Sequence, residues 1–468
     1  MKKFKYYLPV FFFLVILLLL PHTPRKIINI VTGLPAENVK LIYPFLTQVA
    51  TPFFDFPFYF ATLANPKTQI ISWVVWLALI WTIYAFIKIR GTFFKRIYLF
   101  FRGMLVVLIS LILIVAYTIL YPSYQCKLKG SNPDEIFMDL HSHTLFSHDG
   151  LVTPEKSMRW HLDAGFKVWA ITEHNWIGCS PRIQKRLLEE KYPNILVVSG
   201  EEVSYKKVHL NLLGIEEDFD TSSCESLKDI VNAVHSQKGA VIVPHYWAER
   251  KTSFTMEDLA EAGVDGFEIT GVSSVPLTRE TQEKIISFCK LKGLVMVSGT
   301  NWHGWKNFCS CWTVYNSPNW DKLDWTTRER MVINDLRNRN SDNFKVIGYS
   351  TFLPSTTSQI FEPFTGLFRY FSSLGLCQRF SWFFWIGTIY LIIIRTKKRR
   401  LLSVYLWFFI TLALLLKSSS LFTMWGLVGP TNEILPEVAR YLLVVSVITF
   451  LLGLSNIKLQ GNRLPTDD

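Results

Sequence analysis

Apolar positions along the chain come in two textures. The flanks carry long, nearly unbroken apolar runs: about Tyr6 to Leu20, Ile70 to Ile87 and Ile97 to Tyr121, then about Phe380 to Ile394, Leu401 to Leu416 and Tyr441 to Leu454. A membrane-crossing helix needs roughly 20 such residues, so these predict six spans. The first run follows Met-Lys-Lys-Phe-Lys and reads as a retained anchor, because Pro21-His22-Thr23-Pro24-Arg25 lacks the small residues of a cleavage site. Between the flanks, short apolar runs alternate with amphipathic stretches and end in polar residues. Ile136-Phe137-Met138-Asp139-Leu140 leads to His-Ser-His, Val168-Trp169-Ala170-Ile171-Thr172 to Glu-His, and Ile195-Leu196-Val197-Val198 to Ser-Gly-Glu-Glu. Ala240-Val241-Ile242-Val243-Pro244 leads to His245, Gly266-Phe267-Glu268-Ile269-Thr270 to a glycine, and Leu294-Val295-Met296-Val297 to Ser-Gly-Thr-Asn-Trp-His.

Continuous apolar strands separated by helices predict a parallel sheet buried on both faces. Thr153-Pro154-Glu155 supplies an N-cap, a first-turn proline and an early acid for the helix after the first strand. Polar residues recurring at strand C-termini favour a barrel with its site on that face over an open sheet. The chain thus divides into an N-terminal membrane region (1–122), an α/β domain (123–360) and a C-terminal membrane region (361–468). Residues Thr23 to Pro66, rich in Pro and Phe and without clear periodicity, are expected to form a loop on the membrane interface, as is the aromatic stretch Phe361 to Phe380.

Charge sharpens this division. The chain has a formal net charge of +12 over 468 residues, but residues 125–362 hold 26 Lys and Arg against 31 Asp and Glu. The excess of positive charge therefore lies beside the apolar helices, which argues against nucleic-acid binding and for topology signals. The clusters Lys2-Lys3-Lys5, Lys88-Arg90-Lys95-Arg96 and Arg395-Lys397-Lys398-Arg399-Arg400 can all be cytoplasmic if six spans cross, which places the central domain outside the cytoplasm. Six of the seven cysteines (Cys126, Cys179, Cys224, Cys289, Cys309, Cys311) lie in that domain. Their even number permits disulfides there, and isolated reduced cysteines equally; no Cys-x-x-Cys pair marks a zinc ribbon.

The chemistry starts at His141-Ser142-His143. Alternate residues on a strand share a face, so two imidazoles can grip one metal ion. His174, Glu201 or Glu202, His209, His245 and His303 lie at or beside later strand ends. Asp139-Leu-His-Ser-His-Thr, Ser147-His-Asp-Gly150, Thr172-Glu-His-Asn175 and Gly200-Glu-Glu-Val203, in that order, resemble the polymerase-and-histidinol-phosphatase (PHP) superfamily over roughly residues 136–350. The resemblance implies a distorted (β/α)7 TIM-like barrel, two or three divalent metal ions (Zn, Mn, Fe or Mg) and phosphoesterase activity. It implies His141, His143, His174, Glu202, His209 and His245 as ligands, with Glu202 bridging two metals. One extra residue leaves His148 and Asp149 as alternatives for the next ligand. The usual final Asp-x-His reads Asn301-Trp302-His303, a departure that removes one anionic ligand.

The expected reaction is hydrolysis of a phosphate mono- or diester by a metal-activated water, with His303 or His148 as proton donor; Lys206, Lys207, Arg250 and Lys251 are candidates for a phosphate clamp, each more often a solvated surface charge. Trp176, Tyr246, Trp247, Trp302 and Trp305 line the ligand loops. They suit a lipid-linked or sugar phosphate, and equally serve as ordinary core residues. The expected partners are the bilayer and a phosphorylated small molecule or lipid. Two other readings stand beside this one: an amidohydrolase-like metal barrel, and a decayed PHP domain serving as a membrane binding or sensor module.

Overall fold

The computed structural model describes residues 4–55, 66–120, 126–177, 187, 191–192, 195–248, 252–273, 275, 277–305, 309–349, 360–395 and 399–461. Cys179, Arg250, Lys251 and the lysines at 2, 3, 397 and 398 lie outside them.

Twelve strands are described: β1 (Ile27–Asn29), β2 (Val39–Ile42), β3 (Lys127–Gly130), β4 (Glu135–Asp139), β5 (Val168–His174), β6 (Leu196–Tyr205), β7 (Val208–Leu213), β8 (Ala240–Val243), β9 (Gly266–Gly271), β10 (Val295–Gly299), β11 (Cys311–Asn316) and β12 (Phe344–Tyr349). Ten form one sheet in the order β1-β12-β11-β4-β5-β6-β7-β8-β9-β10, and β2 pairs with β3. All six expected apolar strands are present, and β4 to β6 and β8 to β10 pair in parallel. They are buried along nearly their whole length, as a sheet covered on both faces requires. Thr153 caps the helix Pro154–Ala164 as its sequence predicts, accepting from the Lys156 amide.

The sheet is not parallel throughout, as befits a distorted barrel. β7 runs antiparallel to both β6 and β8, and β11 antiparallel to β4 and β12. The reason is local: a two-residue turn, Lys206-Lys207, joins β6 to β7, leaving no room for a crossover helix. Both turn residues have positive φ, as a tight hairpin demands. The result is a curled ten-stranded half-barrel. Its rim closes where the chain leaving β10 meets the chain leaving β4: the Asn301 amide donates to the His141 carbonyl and the His143 amide to the Trp302 carbonyl, both at 2.9 Å.

Two expectations about the flanks change. The segment read as a featureless loop supplies β1, which pairs antiparallel with β12 and completes the sheet edge, and β2, which pairs with β3. Ile27 packs with Leu128, Phe137 and Trp312 in the core beneath that edge. Among the described residues, four helical segments rather than six are long and apolar enough to cross a membrane: Ile70–Lys88, Phe93–Thr118, Leu402–Thr431 and Ile434–Ile457. The helices Phe4–Leu19 and Leu376–Arg395 pack together, with Leu17 against Trp382. The aromatic stretch after the sheet forms an amphipathic helix, Glu362–Ser373, with Tyr370 and Phe371 buried and Phe364 and Phe368 exposed.

An unpaired edge strand invites aggregation. A soluble chain of residues 126–349 fused through a short linker to residues 24–43 is expected to be more soluble and higher melting than 126–349 alone. Each kcal/mol contributed by β1 and β2 raises Tm by roughly 2–4 °C. Equal melting and solubility of the two would show that the edge does not need its covering strand.

Candidate metal centre

The strand C-termini converge on one carboxylate. Glu202 faces the barrel interior from β6, opposite His174 of β5 in register. Its Oε2 meets His141 Nε2 at 3.3 Å, His143 Nε2 at 3.2 Å and His174 Nδ1 at 3.1 Å. Its Oε1 meets His209 Nδ1 at 2.8 Å and His245 Nε2 at 3.0 Å. The period-two alternation of a strand turns neighbouring Glu201 to the other face, where its carboxylate accepts from the Phe219 amide and burial pushes it up to about 7. The structure thus resolves the acidic pair in favour of Glu202.

A second layer of acids fixes the imidazoles. Glu268 of β9 holds His141 Nδ1 at 2.9 Å and accepts from the His245 amide at 2.9 Å. It reaches His141 only because Gly299 has no side chain: a Cβ there would lie 1.9 Å from Glu268 Oε1. Ser147 Oγ donates to Glu173 at 2.5 Å and so accepts from His143 Nδ1 at 3.1 Å. Thr144 adds its amide and hydroxyl to Glu173. Asp139 accepts from Thr300 and His161 and ties β4 to the loop after β10. Glu268, Glu173, Ser147, Asp139 and His161 were not anticipated as part of the centre. Their signal is an acid inside an otherwise apolar buried run.

These contacts set tautomers. With both Nδ1 atoms of His141 and His143 donating to their acceptors, both Nε2 lone pairs point at each other 3.0 Å apart. Two lone pairs at that distance repel unless a cation lies between them. Without metal, that cation is a proton on His141: burial opposes it, but Glu268 and Glu202 outweigh burial and push the imidazole up to about 10. Burial and the neighbouring His303 and His174 hold His143 well below the usual range, so it stays neutral.

The outer half of the centre is built around His143, whose ring lies between His303 (centroids 4.0 Å) and His174 (4.4 Å). His303 Nδ1 donates to the Asn301 carbonyl at 2.9 Å, leaving Nε2 facing Asp149 Oδ2 at 3.2 Å. Asp149 Oδ1 lies 3.6 Å from His174 Nε2. Burial disfavours the Asp149 anion, yet His303 holds its carboxyl well below the ordinary range. Burial brings His174 down to about 4 against the pull of Glu202 and Asp149. Among the described residues, three groups offer donor atoms within 4.8 Å of one another: His141, Glu202 and His245; His143, His174 and His303; and His148, Asp149 and His174. Bare imidazole nitrogens around carboxylates fit zinc, manganese or iron(II).

The remaining expected residues divide. His148 is exposed, its ring 4.8 Å from that of His174, so both it and Asp149 are at the centre. Asn301 sits at positive φ, its amide donating to the Val272 carbonyl, while its buried Oδ1 has no partner among the described residues. Lys206 and Lys207 do not reach the centre as phosphate clamps. They form the β6–β7 turn, where both are exposed and Lys206 bonds the Glu225 carbonyl. Trp302 is a core residue stacked on Trp160 at 4.2 Å. Trp247 and Tyr246 bond Ser273 and the Phe254 carbonyl, Trp305 donates to the Asp149 carbonyl, and Trp176 is exposed beside Phe146. The six described cysteines are free.

Metal binding must expel the His141 proton. Between about pH 7 and 9 that imidazole is charged in the metal-free chain, so affinity for Zn²⁺ or Mn²⁺ is expected to rise with pH, with about one proton released per chain. Titration calorimetry in buffers of different ionisation enthalpy measures this. A heat of binding independent of the buffer would contradict the tautomer assignment.

No protein-family model and no curated protein matches the chain. Among solved structures it is similar to a two-domain protein from Bacteroides vulgatus described as containing a predicted PHP-like metal-dependent phosphoesterase (18% identity, TM-score 0.35, covering 49% of this chain and 69% of that one). It is also similar to an amidohydrolase from Chromobacterium violaceum (15% identity, TM-score 0.30, covering 42% of this chain and 96% of that one). Likenesses this distant do not decide the chemistry, which rests on the side chains described above.

Proposed function

We propose that the chain is a membrane-anchored, metal-dependent phosphoesterase acting on a phosphate mono- or diester, with a lipid-linked or sugar phosphate as substrate. The observation that carries this reading is the convergence of five imidazoles on the buried Glu202 carboxylate. His141, Glu202 and His245 would hold one divalent ion, and His143, His174, His303 and Asp149 one or two more. Such ions, when bound, supply an acidified water near neutral pH and positive charge for the phosphate oxygens. Glu202 touches both halves of the centre: Oε2 meets His141, His143 and His174, and Oε1 meets His209 and His245. Glu268 and the Ser147–Glu173 pair hold His141 and His143 in the tautomers that leave Nε2 free. His148, exposed at the rim, donates the proton that the leaving-group oxygen takes up as the P–O bond breaks. Leu145, Phe146, Leu151 and Trp305 pack against Leu421, Leu435 and Trp425 of the last two apolar helices, which supports a centre beside the membrane. With the basic clusters at 88–96 and 395–400 cytoplasmic, the domain faces outward.

Full-length protein in detergent, loaded with Zn²⁺ or Mn²⁺, is expected to hydrolyse members of a panel of lipid-linked, sugar and generic phosphate esters. The His141→Ala/His143→Ala double variant should lose at least about 100-fold in kcat/KM. Equal turnover by both proteins would sink the phosphoesterase reading. Turnover of generic small esters alone would remove the lipid-linked and sugar substrates.

General-acid catalysis contributes about 10²–10⁴-fold. His148→Gln should therefore slow alkyl phosphates by that factor and leave p-nitrophenyl phosphate, whose leaving group needs no proton, nearly unaffected. A uniform loss on both would assign His148 to metal binding instead.

A further inference from the structure

The loop from Leu145 to Gly150 carries three residues of the outer half of the centre: Ser147, which orients His143, and His148 and Asp149. What holds this loop is not the barrel alone. The turn between the last two apolar helices, Arg399–Val428 and Ile434–Gly461, inserts Asn432 beneath it. Asn432 is fully buried. Its side-chain NH2 donates to the carbonyls of Leu145 (2.9 Å), Ser147 (2.9 Å) and Gly150 (2.8 Å). Its Oδ1 accepts from the Leu435 amide at 2.9 Å and caps the last helix. The loop answers in kind: the His148 carbonyl accepts from the amides of Glu433 (2.8 Å) and Ile434 (3.1 Å), two of the orphan donors at that helix start.

We infer that Asn432 is a positioning residue for the metal centre, making the turn between two membrane helices part of the site; this rests on the metal reading above. Three carbonyl dipoles converge on one NH2 group, and only a side chain with two donor hydrogens and an acceptor satisfies both loop and helix. Around them Leu145 and Leu151 pack with Leu421, Leu435, Ala439 and Leu442. In such apolar surroundings the Leu145 and Gly150 carbonyls left without this donor carry a real desolvation cost, while the Ser147 carbonyl keeps the Gly150 amide at 3.3 Å. Gly150 also packs closely on the Thr144 carbonyl, where a Cβ would come within 1.7 Å of the oxygen. Asp149 is thereby held against His174 and His303.

The test is metal binding by the full chain in detergent, which does not depend on turnover. Asn432→Asp keeps the acceptor for Leu435 but replaces the donors with a carboxylate; Asn432→Ala removes both. Zn²⁺ titration should show the weaker class of bound ions lost or weakened by on the order of 10-fold or more in both variants. The class assigned to His141, Glu202 and His245 should be retained. Zinc bound identically by wild type and both variants overturns the positioning role and leaves the metal reading standing; no zinc bound by wild type overturns both. A measurement free of folding losses uses wild type alone. Because coupling is reciprocal, saturating Zn²⁺ should slow amide exchange at Glu433, Ile434 and Leu435 several-fold. Unchanged exchange there also overturns the inference.

Discussion

The buried Glu202 carboxylate is the constraint on which the centre depends. An anion removed from water costs several kcal/mol unless its oxygens are met by donors or cations, and five histidines from four places in the chain meet these. Histidines so gathered would repel one another if charged and leave lone pairs opposed if neutral. The arrangement is stable only with cations threaded among them. Glu268 and Glu173 add the compensating negative charge, each through a contact to an imidazole or to the serine that orients one. The half-barrel is the device that brings these strand ends to one point, and β7, the strand that breaks its parallel order, is there to present His209.

Much of this was legible in the chain. Apolar runs ending in polar residues located β4, β5, β6, β8, β9 and β10, and their terminal histidines located the donors. The hairpin β6–β7 was not legible, because the polar-apolar switch at Lys206-Lys207 reads equally as a loop. Nor were β1, β11 and β12, whose partners lie far away in sequence and whose pairing is decided by tertiary closure rather than local pattern. The orienting layer was half visible: Glu173 and Glu268 stand out as lone acids in buried strands, but nothing local says which imidazole each one reaches. Asn432 carried no signal, since its role exists only once the turn and the loop meet.

The aromatic residues teach a related lesson. Five were candidates for substrate contact on the ground of proximity in sequence to the ligands. Trp302 sits one residue from His303 yet points into the core against Trp160. Proximity in sequence to a ligand therefore does not make an aromatic residue part of the site.

The pairing of β1 with β12 has a topological consequence. Both strands belong to one sheet and must lie on one side of any bilayer, so the chain between residues 29 and 344 crosses an even number of times. The segments Ile70–Lys88 and Phe93–Thr118 supply two. The same parity governs the other end. The turn at Asn432 touches the ligand loop and shares its side, so an even number of crossings also separates residue 349 from residue 432. Were these apolar helices to span a bilayer, the hydrogen bonds of the sheet and of the ligand loop would fix the parity of the crossings between them.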